Sequence, residues 1–117
     1  MTTIKRTGVG PILSQMVEHG DTVYLCGLTA EDRSANVKGQ TEQILTKIDE
    51  LLTSAGTSKS RILTATVYVP DIRTRDAVNE AWKAWIDPEN PPARAMVQTT
   101  LGLPEILVEI VVTAAKN

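Results

Sequence analysis

Residues 106–114 read Ile-Leu-Val-Glu-Ile-Val-Val-Thr-Ala, and this pattern decides the fold. In a strand, successive side chains point to opposite faces, and here apolar residues fall on both faces. Only Glu109 places a charge in the run. Such a strand is typical of a sheet that is covered on two sides. We therefore predict a strand with one face formed by Val108, Ile110, Val112 and Ala114, and the other by Leu107, Glu109, Val111 and Thr113.

The rest of the chain supplies further strands and two helices, without repeats or a linker. Apolar and β-branched runs predict strands at residues 3–6, 12–18, 22–29, 61–69 and 93–100, with loops at 8–11 and 31–36. Helical patterns fill the two longer intervals. The order β-β-β-α-β-α-β-β predicts a single α+β domain over residues 1–117, in which two helices lie on one face of a mixed sheet.

Both predicted helices are amphipathic. The first has Ser34 or Asn36 as its N-cap and ends at Gly56. Its inward stripe comprises Val37, Thr41, Ile44, Leu45, Ile48, Leu51, Leu52 and Ala55. The second helix follows Pro70-Asp71 and ends at Asp87-Pro88. Its inward stripe comprises Ile72, Val78, Ala81, Trp82, Trp85 and Ile86. We interpret the two tryptophans as core or interface anchors.

Two helices can cover only one face of this sheet. The other face would then expose an apolar surface of a size that soluble monomers rarely tolerate. We predict that a second copy of the chain covers it, in a cyclic homo-oligomer. Glu109 shares that face with Leu107 and Val111, and therefore should lie at or near the interface.

Composition excludes several classes of function. A formal net charge of -2 and a sequence pI near 5.3 give no basic surface for nucleic acid. No apolar run approaches the roughly 20 residues that cross a bilayer. The first residues lack the apolar core of a signal peptide. The expectation is a soluble cytoplasmic protein with neither a membrane nor a nucleic-acid partner.

The chain has a single histidine and a single cysteine, His19 and Cys26. Too few such residues are present for a His/Cys metal cluster or a Cys-His nucleophilic pair, and we expect no metal site of that kind. His19 is interpreted as a solvated turn residue, and Cys26 as a small buried hydrophobe.

Arg94 and Glu109 are the two charges that the pattern does not explain. Arg94 follows two prolines at the start of a strand, and Glu109 lies inside an apolar one. Burying a charge without a partner costs several kcal/mol. The two charges would have to neutralise each other, or another subunit or a ligand would have to neutralise them. Our interpretation is that both side chains face a small pocket.

Several short segments, in order along the whole chain, are similar to a known family. They are Leu25-Cys26-Gly27, Ala55-Gly56, Thr66-Val67-Tyr68-Val69-Pro70-Asp71, Val78-Asn79, Pro92-Ala93-Arg94-Ala95 and Val108-Glu109-Ile110. The chain resembles the RidA/YjgF reactive-imine deaminase family. That resemblance implies a chorismate-mutase-like fold, a variant of the ferredoxin-like arrangement, in a homotrimer with clefts between subunits. It also implies hydrolysis of 2-iminopropanoate or 2-iminobutanoate to a 2-keto acid and ammonia without a cofactor.

The resemblance assigns roles to residues of this chain. Arg94 would bind the substrate carboxylate and Glu109 would orient the attacking water, with Gly27 and Asn79 lining the pocket. Three pocket positions depart from the best-known branch of the family. Ile12 replaces a loop tyrosine, Met96 a cysteine, and Cys26 a serine.

Other functions compete with the enzyme. A non-catalytic binding or regulatory module could use the same pocket for small carboxylates, and Ile12 and Met96 favour this alternative. A nucleic-acid role, described for some family members, conflicts with the acidic balance of the chain.

Overall fold

The computed structural model describes residues 3–116, which form one six-stranded mixed sheet with two α-helices packed on one face. The strands are β1 (Ile4–Val9), β2 (Ser14–His19), β3 (Thr22–Leu25), β4 (Ile62–Val69), β5 (Ala93–Gln98) and β6 (Glu109–Ala115). The helices are α1 (Val37–Ser54) and α2 (Arg75–Trp85). The spatial order is β1-β2-β3-β6-β4-β5. All neighbours are antiparallel except β4 and β5. The predicted order of elements is confirmed.

β6 lies inside the sheet, between β3 and β4. Its side chains alternate as predicted: Ile110, Val112 and Ala114 are buried beneath the helices, and the other set is half-buried on the open face. The strand begins at Glu109, three residues later than expected. The preceding segment is instead held by Gln40, a fully buried side chain of α1. Its amide accepts from the backbone of Leu107 at 3.0 Å and donates to the carbonyl of Glu105 at 3.0 Å.

The first three strands differ from prediction at their ends. β1 extends to Val9, so the loop is shorter than predicted. The strand passes through Gly8, whose φ of 64° is in the left-handed region. β3 ends at Leu25 rather than at residue 29. Pairing with β6 stops after Tyr24, and Leu28 then rejoins β6 through two backbone hydrogen bonds to Ile110, of 2.9 and 3.1 Å.

α1 begins and ends as the sequence indicates. Asn36 is the N-cap, and its Oδ1 accepts from the Gly39 backbone at 2.8 Å. Ser34, the alternative cap, bonds Asp32 instead at 2.6 Å. Gly56 adopts a φ of 78° just past the end of the helix, where a left-handed residue stops it.

α2 begins later than its apolar pattern suggested. Residues 72–74 form a separate 3-10 turn, so Ile72 is 39% exposed and its predicted inward placement is wrong. Val78, Ala81 and Trp82 are buried as expected. Trp85 is half-buried, and its indole donates to Asp49 of α1 at 2.8 Å. This bond and the packed stripes join the two helices.

The sheet face opposite the helices is left open. Tyr24 is 45% and Val97 is 40% exposed there, and Tyr68, Glu109 and Val111 are half-buried. The face carries the alternate residues of the strands, as predicted for Glu109 and Val111. Within residues 3–116, neither helix is long and apolar enough to cross a membrane.

Replacing the cap should destabilise the fold. We expect Asn36→Ala to lower the free energy of unfolding by about 1 kcal/mol, because the Gly39 amide loses its acceptor. Urea denaturation at one fixed protein concentration would measure this. Ser34→Ala is the matched control, and an equal loss in that variant would show that the cap is not specific to Asn36.

Candidate functional site

Arg94 is held by two residues of α2. Its position on β5 is in register with Ala65, which is buried beneath the helices, so Arg94 lies on the helix face of the sheet. Its Nη2 donates to Oδ1 of Asn79 at 2.7 Å. Its Cζ lies 5.0 Å from the centre of the Trp82 ring, within the range of a cation–π contact. We call Arg94, Asn79 and Trp82 the guanidinium cluster.

The guanidinium cluster keeps a cation without an anionic partner. Among residues 3–116, no carboxylate lies within 4.0 Å of the Arg94 guanidinium. Partial burial lowers its pKa from the ordinary value, but arginine remains charged at neutral pH. Met96, two residues further along the same face of β5, is half-buried and packs against the core. The cluster therefore presents a fixed positive charge beside apolar surface.

Glu109 lies on the open face, where it is in register with Tyr68. It approaches Gly27 so closely that a Cβ at that position would collide with Oε2 and lie 3.0 Å from Cδ. Only a residue without a side chain allows the carboxylate to take this position. We call Glu109 and Gly27 the carboxylate cluster.

Cys26 adjoins the carboxylate cluster without forming a reactive thiolate. Its backbone amide donates to Gln15 at 2.9 Å, and its side chain packs half-buried against the core. Burial is the main cause that raises the pKa of the Cys26 thiol, and the charge of Glu109 acts in the same direction. The backbone hydrogen bond and Lys47 oppose the rise. A raised pKa leaves the thiol protonated at neutral pH, as expected for a structural cysteine.

Ile12 lies in the loop between β1 and β2 and is 92% exposed. The loop is closed by a backbone bond of 2.8 Å from Gly10 to Leu13. It lies at the same end of the sheet as Cys26, because Cys26 pairs with the start of β2. Ile12 therefore projects from the fold at the Cys26 end of the sheet and makes no part of the core.

One chain does not bring Arg94 and Glu109 together. The two side chains lie on opposite faces of the sheet, and two strand spacings separate β6 from β5. The two side chains are therefore about 10 Å apart across the strands, and the strand register separates them by about a further 10 Å along the strand direction. Arg94 is exposed and Glu109 is half-buried. The predicted cost of burying these charges therefore does not arise within a single chain.

The structure thus divides the predicted site residues into two groups. Arg94, Asn79 and Met96 form one group, and Glu109, Gly27 and Cys26 form the other, with the Ile12 loop at the same end of the sheet as Cys26.

The contact that sequence analysis missed is that of Trp82 with Arg94. Trp82 was expected only as an anchor, because it belongs to a helical apolar stripe. Nothing in that apolar stripe indicates that Arg94, on the strand that follows the helix, would pack against the Trp82 ring.

A cavity of about 310 Å³ lies elsewhere, beside α1. It is lined by polar side chains and crossed by a salt bridge of 3.3 Å between Lys47 and Glu31. Neither Arg94 nor Glu109 lines it. In the described part of the chain, no three His, Cys, Asp or Glu side chains converge in a group that could hold a metal ion.

Comparisons with known proteins agree over nearly the whole chain. Residues 7–116 match the family model described as endoribonuclease L-PSP. A RutC family protein from Haemophilus ducreyi is 39% identical over 114 residues, which cover 97% of each chain. The RutC family protein YoaB from Escherichia coli is 37% identical over 113 residues, covering 97% of this chain and 98% of that one.

A solved structure adds the fold. The crystal structure of a YjgF family member from Neisseria meningitidis matches with a TM-score of 0.93 at 33% identity, covering 98% of this chain and 96% of that one. The mixed sheet, the two helices and the sequence motifs around Gly27, Arg94 and Glu109 therefore have one explanation: the chain belongs to the RidA/YjgF family, which includes the RutC proteins.

Proposed function

We propose that this protein is a cofactor-independent 2-imino acid deaminase, which hydrolyses 2-iminopropanoate or 2-iminobutanoate to the 2-keto acid and ammonia. The observation that carries the proposal is the guanidinium cluster. Asn79 and Trp82 hold Arg94 in place, while no described carboxylate neutralises it. A fixed, unpaired guanidinium is suited to an anionic ligand.

The substrate chemistry fits these two groups. A 2-imino acid carries a carboxylate beside an electrophilic C=N carbon, and a guanidinium grips a carboxylate through two parallel hydrogen bonds. Glu109 accepts a proton from a water molecule while the oxygen of that water bonds to the C=N carbon. That proton passes to the nitrogen and gives an amino alcohol. The hydroxyl proton of the amino alcohol then moves to the nitrogen, the C–N bond breaks, and ammonia leaves as the carbonyl forms. The imine is already reactive, so positioning supplies much of the effect.

The proposed site needs two copies of the chain. Arg94 and Glu109 of one chain lie on opposite faces, so the Arg94 of one copy would meet the Glu109 of its neighbour. The half-exposed Tyr24 and Val97 of the open face support an assembly, since a second copy would remove this apolar surface from water. We propose the homotrimer that the family resemblance implies, with the site in the cleft between subunits and the cytoplasm as its location.

A second candidate is a non-catalytic module that binds small carboxylates in the same cleft. Ile12 and Met96 favour it, because neither side chain can donate or accept a proton where the family's tyrosine and cysteine stand. It predicts binding of 2-keto acids without turnover. The matching family model is described as an endoribonuclease. The charge of this chain does not favour that activity, because a formal net charge of -2 provides no basic surface for RNA.

The oligomer should depend on the open face. We expect the wild-type protein to show a mass that is a multiple of one chain, and Val111→Glu to shift it to one chain, because the new charge would have to be desolvated in the interface. Light scattering at micromolar concentration measures both. Ile72→Glu, an exposed position outside the open face, is the control. A monomeric wild type would contradict the assembly.

Mixed assemblies test whether the site lies between subunits. We expect Arg94→Ala and Glu109→Gln each to lower kcat/KM at least about 100-fold, since one loses the carboxylate clamp and the other the general base. Mixed oligomers of the two variants should regain activity, because at least one interface then joins a wild-type Arg94 to a wild-type Glu109. The assay follows 2-keto acid released from an imine generated in situ by an amino-acid oxidase.

Arg73→Ala is the matched control for that experiment. Arg73 is a surface guanidinium paired with Asp71 at 2.8 Å, and its loss should leave kcat/KM unchanged. Mixed oligomers that stay as inactive as their parents would remove the intersubunit site. Full activity in Arg94→Ala would remove the role of Arg94.

Gly27→Ala should separate catalysis from stability. The added methyl displaces the end of the flexible Glu109 side chain, so we expect kcat/KM to fall at least about tenfold. The free energy of unfolding should change by less than about 1 kcal/mol. Gly102→Ala is the control, because nothing lies within 4 Å of the new methyl there. Undiminished activity in Gly27→Ala would show that the carboxylate position is not needed.

A further inference from the structure

Trp82 connects the hydrophobic core to Arg94. It is only 6% exposed, and its ring packs edge-to-face on Trp85, with centroids 5.4 Å apart and planes at 62°. Its burial in the core, rather than this contact, keeps the ring from rotating freely. It is therefore a fixed platform, and the Arg94 guanidinium lies over it.

Asn79 acts from the same side as Trp82. The two residues are three positions apart on α2 and share one face of the helix. Asn79 accepts one hydrogen of Arg94 Nη2 at 2.7 Å, while the ring lies against the guanidinium. The contact with the ring restrains the height of the cation above the helix, and the hydrogen bond restrains its rotation.

An arginine side chain would otherwise be among the most mobile in the protein, because its four single bonds allow many rotamers. A mobile arginine must be ordered when it binds a ligand, and this ordering weakens binding. Arg94 has this entropy removed before a ligand arrives. Its N–H donors that do not face Asn79 are available to a carboxylate.

We propose that Trp82 is a positioning residue for carboxylate recognition: its ring holds the Arg94 guanidinium in the orientation that grips the ligand. This inference rests on the proposed function only in that Arg94 is taken as the group that binds the carboxylate. Trp82 itself touches no reacting atom. Its role is carried by the contact with Arg94, in addition to the packing that every buried tryptophan provides.

The test observes the arginine directly, without any activity. In the assembled protein labelled with nitrogen-15, we expect the Nε–H of Arg94 to be as ordered as the backbone and to carry a ring-current shift. Trp82→Phe should keep most of this order, because an aromatic face remains. Trp82→Leu should lose it, and should weaken binding of 2-ketobutyrate about fivefold.

Trp85→Leu is the matched control. It removes a tryptophan from the same helix and from the same aromatic pair, but not the ring that carries Arg94. We expect it to lower stability while the order of Arg94 and the affinity for 2-ketobutyrate stay close to wild type. An equal loss in the two leucine variants would mean that Trp82 acts only through packing, and would overturn the proposal.

The outcomes distinguish this inference from the proposed function. If Arg94 is ordered in wild type and released in Trp82→Leu while no variant binds 2-ketobutyrate, the positioning by Trp82 stands and the ligand assignment fails. If wild type binds 2-ketobutyrate and Trp82→Leu binds it equally well, the positioning fails. If Trp82→Leu does not fold, the wild-type spectrum decides: an ordered Arg94 Nε–H with a ring-current shift supports the proposal, and a disordered Arg94 overturns it.

Discussion

The burial of one face of β6 beneath the two helices is the constraint on which the rest of the structure depends. Ile110, Val112 and Ala114 are almost fully removed from water, and Val108 continues the row before the strand begins. Burying apolar area of this kind is the main favourable term in folding. Because a strand alternates, fixing this row under the helices also fixes Glu109 and Val111 on the open face. A slip of one residue would bury the carboxylate and expose the core.

This constraint also explains which parts of the fold could be predicted from sequence. Periodicity identified both helices and the strand order along the chain, and Gly56 and Asn36 marked the ends of α1 because caps are local. The errors lie where nonlocal contacts decide. The segment before Glu109 is held by Gln40 instead of the expected strand pairing. The backbone of Ile72 donates to Gln98 of β5 in the 3-10 turn that removes Ile72 from the helix stripe. A short window of sequence does not contain both partners of a contact such as that between Gln40 and Leu107.

The candidate site shows the same division. The types of residue at positions 94 and 109 could be singled out because each charge stands against its surroundings. The face on which Glu109 lies also follows from the alternation of its strand. The placement of Arg94 could not be predicted, since it depends on the register of β5 against β4 and on a crossover through α2. The contacts of Arg94 with Asn79 and Trp82 follow from that crossover, which sets the helix beside the edge strand. The charges can be recognised in the sequence, but their neighbours are decided by packing.

The separation of Arg94 from Glu109 means that neither charge neutralises the other within one chain. Two opposite charges that met inside one chain would form an ion pair, and a ligand would then have to break it. Placing them on opposite faces leaves Arg94 against an aromatic ring and an amide, and Glu109 against Gly27. Neither contact neutralises its charge. A chain built in this way can fold without committing its charged groups to each other, which leaves both available for the assembly and the ligand proposed above.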